Sequence, residues 1–157
     1  MPSWRDFVSE QAQDDLDGLI NASLPFAQQM LEAHGEFFPY GAAVDDSGET
    51  RMVAADAGQY VQPGKQLRRA GHMRFSNTEL LDLLLDGLRR DRDSIRAVAV
   101  VSDVRLADSD AVRVELEHRE GHAIAVLLPY KKKRRLRRGV EYGDLVAAPG
   151  EHRVWVS

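Results

Sequence analysis

Two histidines four residues apart form the pattern in this sequence that comes closest to a metal site. His118 and His122 flank the tripeptide Arg119-Glu120-Gly121. On a helix, this spacing places both imidazoles on one face, where they can bind zinc. The residues before His118 instead alternate apolar and charged side chains with a period of two, and Gly121 interrupts a helix. We therefore expect the two histidines to lie on a β-hairpin.

The loop length of this hairpin decides where the two imidazoles lie. A two-residue loop leaves Ile124 among charged side chains. A three-residue loop, with Gly121 in the left-handed conformation, instead aligns Leu116 with Ile124 and places His118 directly opposite His122. We favour this loop and interpret the pair as semi-polar side chains that close the edge of the core. A metal-binding or pH-sensing pair is the alternative, and no third ligand accompanies it. We predict neither a metal nor a cofactor.

The second chemical feature is a cationic run of seven basic side chains in eight positions: Lys131, Lys132, Lys133, Arg134, Arg135, Arg137 and Arg138. The whole chain carries a net charge of −4, so the residues outside this run carry −11. Such a run can neutralise nucleic-acid phosphates, but the acidic remainder opposes the approach of nucleic acid. Three interpretations stay open: a solvated or self-paired face, a protein partner and, least favoured, nucleic acid. We expect the run at 131–138 to occupy a loop between strands.

The sequence contains none of the common catalytic motifs. It has no cysteine, which excludes disulfides, thiolate zinc sites and thiol nucleophiles. Residues 58–65 fail the phosphate-binding pattern because they lack the Ser or Thr that binds magnesium. The alternative to a binding module is a small enzyme or small-molecule-binding domain that uses a long loop predicted at residues 56–75, with Tyr60, His72 and Arg74 lining a pocket. We assign no catalytic or cofactor-binding residue.

Two helices are predicted to carry these features. Residues 1–22 are acidic and weakly periodic, and we interpret them as a loosely packed arm or a marginal helix. A helix then begins with Ser23 as its N-cap, tolerates Pro25 in its first turn and ends at Gly35. The second helix begins with the capping-box sequence at Ser76, and its row of leucines predicts packing against a sheet.

The remaining apolar pattern predicts one mainly antiparallel sheet. Residues 95–106 are rich in β-branched residues and have apolar side chains on both faces, which is typical of a central strand. The other predicted strands cover residues 37–44, 51–55, 112–118, 123–129, 140–142 and 153–156. The order is helix, two strands, helix and then three or more strands. We therefore predict a single α+β domain over residues 1–157, with the helices packed on the sheet.

The N-terminal residues and the apolar stretches also suggest a location. The opening residues lead into an acidic segment rather than an apolar one, so we expect no secretory signal. The longest apolar stretches are too short to span a bilayer, and we expect no membrane association. The absence of cysteine fits a reducing compartment. We expect a cytoplasmic protein.

The segment Gly35-Glu36-Phe37-Phe38-Pro39-Tyr40-Gly41-Ala42 resembles a signature of small bacterial proteins of unassigned function. The tail from Glu117-His118 through Pro129-Tyr130 to Val140-Glu141-Tyr142-Gly143 resembles the same group. This resemblance implies no activity and no site residues. The element order is also similar to that of the roadblock and profilin-like scaffolds, which implies a dimeric interaction module. The leading hypothesis is a non-enzymatic protein-interaction module that forms a homodimer through sheet edges or the acidic N-terminal segment.

Overall fold

The computed structural model describes residues 6, 8–53, 76–132 and 139–155. These residues form two helices and one antiparallel sheet of seven strands, so the predicted α+β fold is confirmed. The elements are α1 (Glu10–His34), β1 (Tyr40–Asp45), β2 (Thr50–Val53), α2 (Asn77–Asp91), β3 (Ile95–Arg105), β4 (Asp110–His118), β5 (His122–Lys132), β6 (Val140–Tyr142) and β7 (Val146–Pro149). The loop predicted at residues 56–75 lies outside the described residues.

The strand order places the most apolar strand in the interior of the sheet. The order is β2-β1-β3-β4-β5-β6, and β7 pairs with β5 as well. Strand β3 has buried residues on both faces, as predicted. Helix α1 covers one face, where Leu16, Leu19 and Leu31 are buried. Helix α2 covers the other face with Leu84 and Leu88. The sheet therefore separates two apolar cores.

Helix α1 is longer than the sequence predicted. It begins at Glu10, and its N-cap Ser9 accepts a hydrogen bond from a main-chain N–H of the first turn at 3.1 Å. The prediction of an N-cap at Ser23 was wrong, because Ser23 is buried within the helix and the exposed Pro25 is accommodated there. A proline inside a helix costs about 3 kcal/mol, and the buried stripe on both sides of it offsets that cost. Residues 10–22 therefore belong to a packed helix rather than a loose arm.

The other predicted helix ends are confirmed. Gly35 ends α1 with φ of 77°, and its N–H donates to the Leu31 carbonyl oxygen at 2.8 Å. At the start of α2, Ser76 Oγ accepts from the Glu79 N–H and Glu79 Oε1 accepts from the Ser76 N–H, each at 3.1 Å. Both ends use local signals, which explains why the sequence predicts them.

The first strand is shorter than predicted. Strand β1 begins at Tyr40, because Pro39 has no N–H to donate to a neighbouring strand. Strand β2 runs to Val53, and the predicted residues 54 and 55 lie outside the described part of the chain. Within the described residues, the second strand pairs with β1 at four positions.

The hairpin of β4 and β5 has the predicted three-residue loop. Leu116 lies opposite Ile124, and His118 lies opposite His122. Gly121 has φ of 105°, in the left-handed region that side chains rarely adopt. The predicted register of this hairpin is confirmed.

The cationic run begins within a strand. Lys131 and Lys132 belong to β5 and pair with Glu141 and Val140 of β6. The prediction of a loop was wrong for these two lysines, because the pairing with β6 extends the strand while both side chains stay exposed. Residues 133–138 lie outside the described residues. The strand predicted at residues 140–142 is confirmed.

The last strand of the described residues is β7, and residue 156 of the strand predicted at 153–156 lies outside them. The prediction of a strand there was wrong for residues 153–155, because their main-chain N–H groups bind a carboxylate instead of a neighbouring strand. Strands β6 and β7 follow one another along the same side of β5. Between them, Leu128 and Pro129 face the three residues 143–145, which is the pattern of a β-bulge.

Candidate functional site

A buried charged cluster joins α1 to the sheet. Asp15 accepts two hydrogen bonds from the Arg96 guanidinium, each at 2.9 Å. Asp15 Oδ2 also lies 2.9 Å from His118 Nε2. Asp15 is 6% exposed and His118 is 1% exposed. The hydrogen bonds with Asp15 raise the pKa of Arg96 above its ordinary value. The acidic residue that the sequence assigned to a loose arm thus anchors the helix.

Both ring nitrogens of His118 are engaged. Nδ1 accepts a hydrogen bond from the Glu120 N–H at 3.2 Å. This assigns the ring proton to Nε2, which donates it to Asp15. A metal could bind His118 only by displacing one of these hydrogen bonds. A side chain that is 1% exposed is also closed to a substrate.

His122 lies across the hairpin from His118, with ring centroids 6.5 Å apart. The prediction that the pair shares a face with Leu116 and Ile124 is confirmed by the register. His122 Nε2 is 3.9 Å from Glu120 Oε1. Within the described ranges, no three His, Asp or Glu side chains are placed to hold a metal ion. The metal alternative therefore has no third ligand in that part of the chain.

The two described members of the cationic run lie among acidic side chains. Glu141 faces Lys131 across the strand pair. Burial is the main cause that raises the pKa of Asp103, and of the charges around it that of Lys132 lowers this pKa whereas those of Asp110 and Glu36 raise it. Mixed charges of this kind weaken attraction for a phosphate backbone. The other members of the run lie outside the described residues: Lys133, Arg134, Arg135, Arg137 and Arg138.

A tyrosine and a carboxylate meet beside these lysines. Tyr130 O–H donates to Asp103 Oδ1 at 2.6 Å. Burial raises the pKa of Asp103, although the hydrogen bond from Tyr130 opposes that shift. Burial, together with Asp103, raises the pKa of Tyr130. At the same end of the sheet, Tyr142 O–H donates to Glu32 at 3.2 Å, and burial raises the pKa of Tyr142 to about 12. Both tyrosines therefore act as protonated donors.

A cleft of about 500 Å³ lies beside Tyr130 and the two described lysines. Its lining consists of Arg105, Asp108, Ser109, Asp110, Tyr130, Lys131 and Lys132. Arg105 Nη1 lies 3.6 Å from Asp110 Oδ1, so cations and carboxylates offset each other along the wall. The described lining contains no nucleophile paired with a base, and its three cations and two carboxylates leave only a small positive charge to attract an anion.

Among the described residues, the most exposed large apolar side chains lie at the two edges of the sheet. Met52 of β2 is 47% exposed, whereas Leu145 and Val146 at the start of β7 are 54% and 50% exposed. Strand β2 also carries Arg51, but β7 has no charged side chain. No described strand pairs with the outer side of β2, β6 or β7. An open, uncharged edge is a template for pairing with another strand.

The remaining candidate residues do not converge on a site. The Tyr40 hydroxyl donates to the Ser23 carbonyl oxygen at 2.6 Å in the core, which is a structural role. Tyr60, His72 and Arg74, the side chains of the enzyme alternative, lie outside the described residues. The described residues therefore provide no evidence for a pocket lined by these three side chains.

Sequence reasoning missed two buried carboxylates. Asp15 lies on the same helical stripe as Ala12 and Leu19, so its position in the apolar pattern was the available signal. Glu117 lies on the charged side of the β4 alternation, yet it is only 4% exposed because residues 153–155 cover it. No local pattern in the sequence predicts that cover.

No protein-family model matches this chain, and neither a curated protein nor a solved structure matches it. Across the described ranges, none of the helices is long and apolar enough to cross a membrane.

Proposed function

We propose that this protein is a non-enzymatic, cytoplasmic protein-interaction module that self-associates through the outer edge of β7. The observation that carries the proposal is the composition of that edge. Val146 is half exposed, Leu145 precedes it, and the strand has no charged side chain. Proteins normally protect an edge of this kind with charges, a covering element or a partner strand. A second copy fits because a two-fold axis makes identical edges complementary.

The neighbouring edges favour β7 over other pairing sites. The bulge at residues 143–145 separates β7 from β6, and Glu141 places a charge on β6. Arg51 places a charge on β2 at the opposite edge. These features are typical of edges that resist pairing. Strand β7 differs from them because it carries no charged side chain, and its one residue of a kind that blunts an edge is Pro149 at its last position.

The charge distribution is compatible with a two-fold antiparallel pair. Lys131 and Lys132 lie near the β6 end of the edge, whereas Pro149 pairs with Ile124 at the other end. Antiparallel pairing of two β7 strands therefore places the lysines of the two copies at opposite ends of the joined sheet. The two cationic runs start far apart, which limits their repulsion.

The non-enzymatic part of the proposal draws on the lack of catalytic motifs and on the buried state of the Asp15–His118 pair. An Asp–His pair serves as a general base only when its imidazole reaches the reacting atom. Here the imidazole is closed off by α1. Its role is to hold the helix.

Size exclusion with light scattering tests the self-association. We expect the wild type to form a dimer whose population rises with protein concentration. Val146→Lys adds a charge to the open edge and should yield a monomer. Met52→Lys is the matched control, because it adds the same charge to the opposite edge, and it should remain dimeric. A wild type that is monomeric at every concentration contradicts the proposal, and so does an equal effect of the two substitutions.

A further inference from the structure

Residues 151–155, which we call the strap, cross the second face of the sheet beside α2. The chain enters the strap at Gly150, whose N–H donates to the Ala123 carbonyl oxygen at 3.2 Å. A Cβ at Gly150 would lie 2.6 Å from the Ile124 main-chain N, so a side chain does not fit. The chain thus passes closely over the start of β5 and continues onto β4.

One buried carboxylate binds the main chain of the strap. Glu117 Oε1 accepts hydrogen bonds from the N–H groups of Arg153 and Val154, each at 2.9 Å. Glu117 Oε2 accepts from the Trp155 N–H at 2.8 Å. Three main-chain donors satisfy a carboxylate that is 4% exposed. This contact recognises three consecutive free N–H groups and requires no particular side chain.

Two arginines at the end of α2 donate hydrogen bonds to the main-chain carbonyl oxygens of the strap. Arg89 Nε donates to the Arg153 carbonyl oxygen at 2.7 Å. Arg92 Nη1 donates to the Val154 carbonyl oxygen at 3.3 Å. Side chains of the groove between α2 and β4 therefore make five hydrogen bonds to the strap backbone. No β-ladder joins the strap to the described part of the sheet.

Three positions of the strap contact the groove through their side chains. Val154 is fully buried in the core between α2 and the sheet, and Trp155 packs against that core. Arg153 Nη2 lies 3.4 Å from Glu115 Oε1, an oxygen that Arg113 Nη2 also approaches at 3.5 Å, and 3.2 Å from Glu151 Oε2 of the strap. Arg153 therefore adds a second cation beside the half-buried Glu115 carboxylate. The groove thus binds a cation, an aliphatic residue and an aromatic residue at three successive positions.

We propose that the groove between α2 and β4 is a peptide-binding site that the strap occupies as an internal ligand. Its partner is an extended segment of another protein with the order cation, aliphatic, aromatic and with three free main-chain N–H groups. Such a segment makes the same contacts as the strap and displaces it. This site lies apart from the outer edge of β7, and the proposal does not depend on self-association.

The tethered strap competes with a peptide at an effective concentration of about millimolar. A free peptide therefore binds weakly to the wild type. Weakening the strap raises the fraction of molecules with an open groove, and the apparent affinity rises in proportion to that fraction. Val154→Ala weakens the strap because it removes part of its buried anchor, while it leaves the groove residues unchanged.

Fluorescence anisotropy with a labelled peptide of residues 150–157 (Gly-Glu-His-Arg-Val-Trp-Val-Ser) tests the proposal. We expect about tenfold tighter binding to Val154→Ala than to the wild type. Adding Glu117→Gln to Val154→Ala should abolish that gain, whereas adding Glu141→Gln, an exposed control on β6, should preserve it. A peptide with Pro in place of Val should not bind, because it lacks one of the three N–H groups. Equal affinity for the wild type and Val154→Ala overturns the proposal, and so does binding that survives Glu117→Gln.

Amide hydrogen exchange on the wild type provides a test that needs no variant. The N–H groups of Arg153, Val154 and Trp155 should exchange faster than those of β3 and β4, because the strap opens while the sheet stays folded. Exchange of these three amides only at the rate of global unfolding overturns the proposal.

Discussion

Replacing Asp15 by Asn tests whether the buried charged cluster holds α1 on the sheet. The substitution preserves the side-chain volume but removes the charge that Arg96 and His118 contact at 2.9 Å. Removing one partner of a buried ion pair costs about 3–5 kcal/mol. Arg96 is 16% exposed and has a second contact, at 3.5 Å, with the Asp46 carbonyl oxygen. We therefore expect the low end of that range, a loss of about 3 kcal/mol.

Urea unfolding monitored by circular dichroism measures this loss. With a slope of about 2 kcal/mol per molar urea, the midpoint should fall by about 1.5 M. Asp14→Asn is the matched control, because Asp14 is the exposed neighbour on the same helix. It should change the stability by no more than about 0.5 kcal/mol. A midpoint shift for Asp15→Asn no larger than that for Asp14→Asn would refute the reasoning.

Three further substitutions probe other parts of the fold. Burial raises the pKa of Asp103 above 3.8, so folding favours the protonated carboxyl. The wild type should therefore lose stability relative to Asp103→Asn as the pH rises through that raised pKa. If the difference in urea midpoint between the wild type and Asp103→Asn does not change with pH, this expectation is contradicted. Gly18→Ala should stabilise α1 by about 0.5–1 kcal/mol, because no atom lies within 4 Å of the added Cβ, and a lower urea midpoint argues against it. Gly121→Ala should destabilise the protein by about 1 kcal/mol or more, because Gly121 has φ of 105°, which alanine adopts only with strain. An unchanged melting temperature would contradict this expectation.

The elements with local signals could be predicted from the sequence. The capping box at Ser76 and the hairpin glycine Gly121 act through neighbouring residues, so their structures follow from short patterns. Helix α1 was predicted too short because Pro25 and the acidic residues argue locally for a boundary. The apolar stripe of Leu16, Leu19 and Leu31 overrides them, and its contribution comes from packing on a sheet that is distant in sequence.

The candidate sites depended on distant contacts and were harder to predict. Asp15 reaches His118 across 103 positions, and Glu117 reaches Val154 across 37. The predicted histidine register was confirmed, but the buried cluster of which His118 is part was missed. The strap was predicted as a strand because Val154 and Trp155 have high strand propensity. Its main-chain donors bind Glu117 instead, and only the tertiary structure brings them there.

The central claim is that two copies meet at the outer edges of their β7 strands, and a spin-label measurement tests it most directly. The chain has no cysteine, so Ala147→Cys introduces a unique labelling site on exposed β7. Paired strands lie about 4.8 Å apart, so nitroxides on two adjoining β7 strands should broaden each other's spectra. Asp82→Cys, on the exposed side of α2, is the control and should show no broadening. We predict broadening for Ala147→Cys that disappears when labelled protein is mixed with excess unlabelled protein. A dimer by light scattering without this broadening would contradict the account.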